Sequence, residues 1–535
     1  MLDALLGISL DFITPRYIVS DPYLSFNIDS ASLFQDTAGG RLNFSDPILN
    51  DFAKQLCSST PESATLRIGG SSADNLAFVS TAKGDDDGVA QYNQQILIDF
   101  DYWNSIITFA DRSGCKIVWD LCALSFRNAT DGSWNSTNAG ILFNHMVSNN
   151  QSIYGWQLGN EPGHWKTRHP TSGPDGEQVG RDLISLHDLV AEKFSFTSTR
   201  IFGPDICGPA SMTNASPCST LQFFTDIISV AQPILSGVTV HHYGLLSAHK
   251  SPNNCHLSDF INPDIIFKHE AKYGIWRDQK NTVMGTKAET GAELILGETA
   301  SAGSGGCVDL SNSFAAGFWW IHTLGEVASL QYDQIYRQNL VGWSGIGDAS
   351  YYTLAGDPGW SGAYTQAGNA IPLHPAELIA NPDFYTSLFW KRLMSPVVLN
   401  VFLDSGSAAL LGISVHVHCA AQAMTGELPM GAVALSYANT RQSTVYLNGI
   451  RTTQSCEVVS LVPRIEYLLT CSSDDLMSRL VYLNGASDPL SSKSPMVGRR
   501  VTTETVLALP PLSYGFIVLP NSQAQACMIN TPEAT

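Results

Sequence analysis

Short apolar runs alternate with longer amphipathic stretches through the first 395 residues. The apolar runs predict strands at Leu24–Ile28, Thr65–Ile68, Lys116–Asp120, Tyr154–Leu158, Arg200–Phe202, Val238–His241 and Glu293–Leu296. Between them, helical periodicity predicts helices such as Ile96–Arg112, Gly180–Phe194, Ser219–Ala231 and Ser311–Leu324. Strands separated by about one helix each give the βαβ signature of a parallel sheet. Seven or eight such units over about 370 residues predict a (β/α)8 TIM barrel with insertions.

The pattern changes near Ser395-Pro396. From Val397 onward it predicts strands and turns: Ala409–His418, Gly431–Tyr437, Ser443–Leu447, Val458–Val462, Val501–Leu507 and Gly515–Leu519. This reads as a C-terminal β-sandwich of about 140 residues. The expected division is a catalytic barrel over 21–395 and a sandwich over 396–535. An N-terminal strand within 1–20, centred on Gly7–Ile18, is expected to join the C-terminal sheet. No run approaches the length of apolar sequence that a membrane helix needs, so no span is predicted.

The 535-residue chain has 48 acidic and 29 basic residues, a formal charge of −19. That balance repels phosphate backbones and other polyanions, which excludes nucleic acid as a partner. With 44% hydrophobic residues there is ample material for a large core. The 11 cysteines form no CxxC pair, which removes zinc ribbons and thioredoxin-like motifs. Cys207–Cys218 and Cys456–Cys471 are short loops able to close as disulfides, and the odd count leaves at least one thiol unpaired or in an intermolecular bond. Five Asn-x-Ser/Thr sequons stand at Asn43, Asn128, Asn135, Asn150 and Asn214. Low charge, many cysteines and sequons favour a secreted or secretory-pathway protein. Met1–Pro15 has neither a basic n-region nor a long apolar h-region, so the expectation is either a leader missing from this sequence or a protein not secreted conventionally.

Barrel enzymes carry their chemistry at the C-terminal ends of the strands. Two predicted exits stand out: Trp156-Gln157-Leu158-Gly159-Asn160-Glu161-Pro162 and Leu294-Ile295-Leu296-Gly297-Glu298-Thr299, the second followed by Gly303-Ser304-Gly305-Gly306. Each is an apolar strand ending in Gly and then a carboxylate. Two glutamates at facing strand tips can flank a glycosidic bond, one donating a proton to the leaving oxygen and the other attacking the anomeric carbon. Asn160 is placed to hydrogen-bond the sugar 2-hydroxyl. Other motifs are weaker. Gly303–Gly306 lacks phosphate-loop spacing, and Gly342-Trp343-Ser344-Gly345-Ile346 misses the last position of a nucleophile elbow. His416-x-His418-Cys419 reads as a polar strand face rather than a metal site, and His241 and His242 point to opposite faces. Trp319-Trp320 reads as core. Trp165 is a sugar-stacking candidate, with Arg168 and His169 nearby. No cofactor and no metal are expected.

These two glutamate motifs, with Leu66-Arg67-Ile68-Gly69-Gly70, Trp134-Asn135-Ser136, Val238–Tyr243, Phe314–Phe318, Tyr385–Leu393, Tyr482–Gly485 and Leu512–Val518, resemble glycoside hydrolase family 79, the family of heparanase and of β-glucuronidases. The resemblance implies a retaining mechanism with Glu161 as general acid/base and Glu298 as nucleophile, the first needing a raised pKa and the second a low one. It implies sugar contacts from Asp29, Asn160, His241 and Tyr243, with Tyr243 bonded to Glu298. Arg67 lies beside the nucleophile. Tyr352 and the backbone of Ser304 and Gly305 meet a uronic acid carboxylate. It also implies a Cys419–Cys527 disulfide. Ser304 and Gly303 depart from heparanase, where a Gly and a Tyr stand. Val79–Tyr102 is short and contains an Asp triplet, and Ile206–Thr220 has no Lys or Arg, so the basic clusters that grip sulfated chains are missing. The expected activity is exo-β-glucuronidase, releasing glucuronic acid or its 4-O-methyl form from a glucuronic-acid-containing glycan or a small glucuronide. Alternatives are a heparanase-like endo-enzyme, a neutral-sugar β-glycosidase and a non-catalytic glycan-binding relative.

Overall fold

The computed structural model of the chain describes residues 4–33, 41–58, 63–80, 96–165, 173–194, 200–207, 220–245, 255–303, 305–341, 351–356, 378–403, 408–421, 428–453, 458–472 and 475–528. The Asp triplet at 85–87, Arg168, His169, Asn214, Cys218, Ser304, residues 342–346 and Cys456 lie outside them.

After an N-terminal strand β1 (Ala4–Ile18), eight strands close a barrel: β2 (Leu24–Asp29), β3 (Thr65–Gly69), β4 (Lys116–Leu121), β5 (Gly155–Leu158), β6 (Ile201–Ile206), β7 (Leu235–His241), β8 (Glu293–Thr299) and β9 (Gln334–Arg337). Neighbours around the ring are consecutive in sequence, every pair is parallel, and β9 returns to β2. This is a (β/α)8 barrel. Its last strand is absent from the hydrophobic pattern for a physical reason. Gln334 and Arg337 are polar residues buried by partners: Gln334 bonds Glu293, and Arg337 pairs with Asp383 at 2.6 Å. The expected helix Ile96–Arg112 also divides. Ile96–Asp99 is a strand paired with Leu76–Val79, and the helix begins at Phe100. Asp99 makes the break, because its side chain accepts the Tyr102 amide and so caps the helix.

The sandwich consists of β1 with β10 (Met394–Leu403), β11 (Ile413–Ala420), β12 (Val433–Asn439), β13 (Val445–Thr452), β14 (Arg464–Thr470) and β15 (Ser513–Leu519), plus short edge strands. β1 lies between β10, antiparallel with Ile8 opposite Leu403, and β13, parallel with Ala4 opposite Val445. The sheet folds over one apolar core that includes Leu6, Ile8, Leu10, Val417, Leu435, Leu447 and Ile517. Part of the strand expected from Ala409 is instead a short helix, Ala408–Leu411, ended at Gly412, whose φ is 67°. The run Val501–Leu507 splits into Arg499–Val501 and Leu507–Leu509, which pair with different strands, and Val458–Val462 is a strand only over Val458–Val459.

The helix after β8, Ala316–Ser329, joins the two domains and is buried on every side through Ala328. Trp319 and Trp320 are core residues with no exposed surface. The helix can lie this close to the sandwich because Gly325 faces His416, where a Cβ would sit 2.0 Å from the ring. Disulfides join Cys57 to Cys115, Cys255 to Cys307, and Cys419 to Cys527. Cys207 is also disulfide-bonded. Among the described residues no helix is long and apolar enough to cross a membrane.

Candidate active site

Glu161 and Glu298 both stand at the C-terminal mouth of the barrel, the first just past β5 and the second on β8. The exit of β5 is shaped by what packs behind it. Gly159 has φ 75°, and a Cβ there would lie 2.3 Å from the Trp165 ring. Trp165 is fully buried, with its indole N–H donating to Asp74 and to the Asn160 carbonyl. It is thus a wall beneath the strand exit, and the sugar-stacking expectation does not hold. Glu161 itself takes a left-handed backbone, φ 48°, and its amide donates to the Asp205 carbonyl at 3.0 Å. Such a conformation costs a non-glycine residue about 1–3 kcal/mol, so the surrounding bonds must impose it.

Arg67 on β3 is the hub of the site. It is wholly buried, and its guanidinium donates to Gln157 (2.7 Å), Glu298 Oε2 (3.0 Å), Asn160 Oδ1 (2.8 Å) and Asp205 Oδ2 (2.9 Å). Asp120 lies 3.7 Å away. One planar cation therefore fixes side chains from four other barrel strands or their exits. Burial alone would raise the Asp205 carboxyl, but Arg67 and His241 bring it down to about 2. Burial dominates at Asp120, whose carboxyl lies well above the usual range.

His241 at the tip of β7 lies among three carboxylates. Its Nδ1 is 3.1 Å from Glu161 Oε1 and 3.8 Å from Glu298 Oε2, and its Nε2 is 3.4 Å from Asp205 Oδ1. Burial opposes its charge, but Glu298, Asp205 and Glu161 outweigh that and lift the ring to about 10. The neighbouring His242 turns away and meets His269 at 3.2 Å. The Tyr243 hydroxyl donates to Glu298 Oε1, so Arg67 and Tyr243 hold the Glu298 carboxylate by its two oxygens. A carboxylate oxygen from each glutamate and a His241 nitrogen lie within 4.8 Å of one another. That spacing could hold a metal, but a protonated imidazole has no lone pair to give, and Arg67 adds a second positive charge.

The opposite wall contains Asp29 at the tip of β2 and Tyr352. Asp29 accepts from the Ala31 amide and from Gln338 Nε2, each at 2.9 Å. Burial, reinforced by the Glu298 charge, pushes its carboxyl up to about 7. Tyr352 stacks on Tyr243 with ring centres 6.2 Å apart, and its amide donates to the Gly305 carbonyl at 3.3 Å. The structure thus gathers Asp29, Arg67, Asn160, Glu161, His241, Tyr243, Glu298, Gly305 and Tyr352 at one mouth, while Ser304 is outside the described residues. Sequence reading missed Asp205, Gln157 and Gln338. Asp205 had a signal, since Gly203-Pro204-Asp205 ends a strand in an acid just as the two glutamate motifs do. Gln338 had none, because it follows the strand that the pattern did not reveal.

Fold and site together have the form of a glycosidase. The model of the glycosyl hydrolase family 79 N-terminal domain matches residues 42–325, more than half of the chain, and the chain belongs to that family. Mouse (Mus musculus) heparanase is 28% identical over 428 residues, 79% of this chain and 69% of the relative. The protein named inactive heparanase-2 of Homo sapiens is 25% identical over 439 residues, 79% of this chain and 64% of the relative. Among solved structures, a 4-O-α-L-rhamnosyl-β-D-glucuronidase from Fusarium oxysporum superposes with a TM-score of 0.63 at 12% identity, covering 96% of this chain and 100% of that one. This last likeness is one of fold.

Proposed function

We propose that the protein is a retaining exo-β-glucuronidase acting on a glucuronic-acid-containing glycan or a small glucuronide. In this reading Glu161 protonates the leaving oxygen while Glu298 attacks the anomeric carbon. Glu161 then takes a proton from the water that releases the sugar. The observation that carries the reading is the spacing of the two carboxylates. Oxygens within 4.8 Å fit a nucleophile and acid about 5–5.5 Å apart, whereas an inverting pair needs about 6.5–9.5 Å to admit a water. Arg67 and Tyr243 hold Glu298 from both oxygens, which orients it for attack. Asn160 is the contact for the 2-hydroxyl, and Asp29 serves another hydroxyl. Gly305 and Tyr352 form the carboxylate side of the pocket, and the family resemblance assigns the Ser304 backbone, outside the described residues, to the same role. The absence of Lys and Arg from 206–220 supports a substrate other than a sulfated chain. The disulfides support a secreted or secretory-pathway location.

The test follows hydrolysis of an aryl β-glucuronide by proton NMR. The expected first product is β-glucuronic acid, which later mutarotates. An α-anomer appearing first would overturn retention, and faster hydrolysis of the matching β-glucoside would overturn the sugar assignment.

A further inference from the structure

The Gly-rich loop after β8 is fastened at several points. Leu245, just past β7, bridges to Ala302, its amide donating to the Ser301 carbonyl at 2.6 Å. Ten residues later Cys255 returns to the same loop and is disulfide-bonded to Cys307. Leu245 and Cys255 are therefore tied to Ala302 and Cys307 of that loop. Within the loop, the Cys307 amide donates to Ser311 Oγ, and Ser301 Oγ donates to the same oxygen, each at 2.8 Å. Gly306, with φ 91°, packs so that a Cβ would meet Ser311 Oγ at 2.8 Å and the Tyr352 ring at 3.3 Å. The Gly305 carbonyl accepts the Tyr351 and Tyr352 amides. Tyr352 in turn stacks on Tyr243, which bonds Glu298. A continuous chain of contacts thus runs from the disulfide to the Glu298 carboxylate.

We propose that the Cys255–Cys307 disulfide is a positioning device for the sugar pocket. It sets the wall made by Gly305, Gly306 and Tyr352 against Tyr243 and Glu298. This rests on the reading that the wall lines the sugar site. A wall displaced by a fraction of an ångström weakens sugar binding, while the glutamates, held by Arg67 and His241, keep their chemistry. The contrast is with Cys57–Cys115, which joins the end of helix Pro47–Cys57 to the residue before β4, on the barrel face opposite the mouth.

The test compares the C255A/C307A pair with the C57A/C115A pair by kcat and KM on aryl β-glucuronide, with melting temperature as a check on folding. For C255A/C307A the expected result is a KM raised by about tenfold or more with kcat within about threefold of wild type. C57A/C115A is expected to melt earlier with KM unchanged. A KM for C255A/C307A equal to that of the control pair, or a loss confined to kcat, overturns the proposal. If the first pair does not fold, the wild-type enzyme is treated with dithiothreitol. The S–S bond takes up two electrons and two protons as the dithiol closes to its cyclic disulfide, and mass spectrometry reports which bond has opened. KM should rise with opening of Cys255–Cys307 and recover on reoxidation, and an unchanged KM with that bond open overturns the proposal. Failure of the functional reading looks different. There the wild type prefers the glucoside or Glu298→Ala keeps its turnover, and the disulfide is judged on KM for whichever aryl glycoside the wild type cleaves.

Discussion

Arg67 has no water to solvate it and four hydrogen-bond acceptors to replace that water. Removing it leaves Asp205 and Glu298 as facing carboxylates with no counter-charge except His241. Arg67→Met is therefore expected to destabilise the fold by about 3–5 kcal/mol, read as a lower urea midpoint, with turnover lost even where the protein remains folded. A wild-type midpoint would show that the hub is not needed for stability. Asp29 gives a prediction of opposite character. Its carboxyl is raised to about 7, so below that pH it is neutral and can donate to a sugar hydroxyl. As pH rises through 7 it ionises and adds a negative charge facing Glu298. Activity (kcat/KM) should fall across that range in the wild type, and Asp29→Asn, which is never charged, should lose this alkaline limb. An unchanged limb in Asp29→Asn would assign it to another group. The glutamates were legible because each is announced by an apolar strand ending in glycine. Gln338 and Arg67 differ from them. Arg67 was marked only by the family resemblance, since burial of an arginine depends on acceptors that come from distant strands.

At the scale of elements, strands whose burial is apolar were legible, and those whose burial is polar were not. β2, β3 and β4 were found nearly to the residue, whereas β9 depends on Glu293 and Asp383 to bury its Gln and Arg. Cap chemistry decided the boundary at Asp99, and an amphipathic pattern that runs through a cap cannot show where the strand stops and the helix starts. β1 leads to a prediction. It fills a slot between β10 and β13 and contributes Leu6, Ile8 and Leu10 to the sandwich core. We propose that residues 1–20 belong structurally to the sandwich and that 21–395 form the catalytic barrel. Deleting residues 1–20 would expose two unpaired edges and open that core. The truncated chain is expected to be insoluble or to melt about 10 °C or more below the full chain, and an unchanged melting temperature would refute this division.

The whole molecule is a barrel and a sandwich locked by one buried helix, and histidines sit along that seam. His416 meets His322 and Ser414, and His418 donates from Nδ1 to the Ser395 carbonyl while its ring packs edge-on against Trp390. In the barrel's outer layer, His269, just before helix Glu270–Met284, packs against His242 and Tyr273. Burial holds His416 and His242 well below the usual imidazole range, and brings His418 and His269 down to about 4. All four are therefore neutral in the fold at neutral pH. The unfolded chain binds their protons from about 6.5 downward, while the folded chain resists until about pH 4 or below, so stability is full above 6.5 and falls as pH drops. For His418 or His269 alone the loss by pH 4 is on the order of 3 kcal/mol. Acid should thus weaken the seam before it protonates most carboxylates. Urea unfolding measured between pH 7 and pH 4 is expected to show a steadily falling midpoint, and His418→Gln, which keeps a donor for the Ser395 carbonyl without a titrating ring, should flatten that slope. A midpoint that holds constant to pH 4.5 would mean that these imidazoles find compensating charge on acidification and that the seam does not govern acid stability.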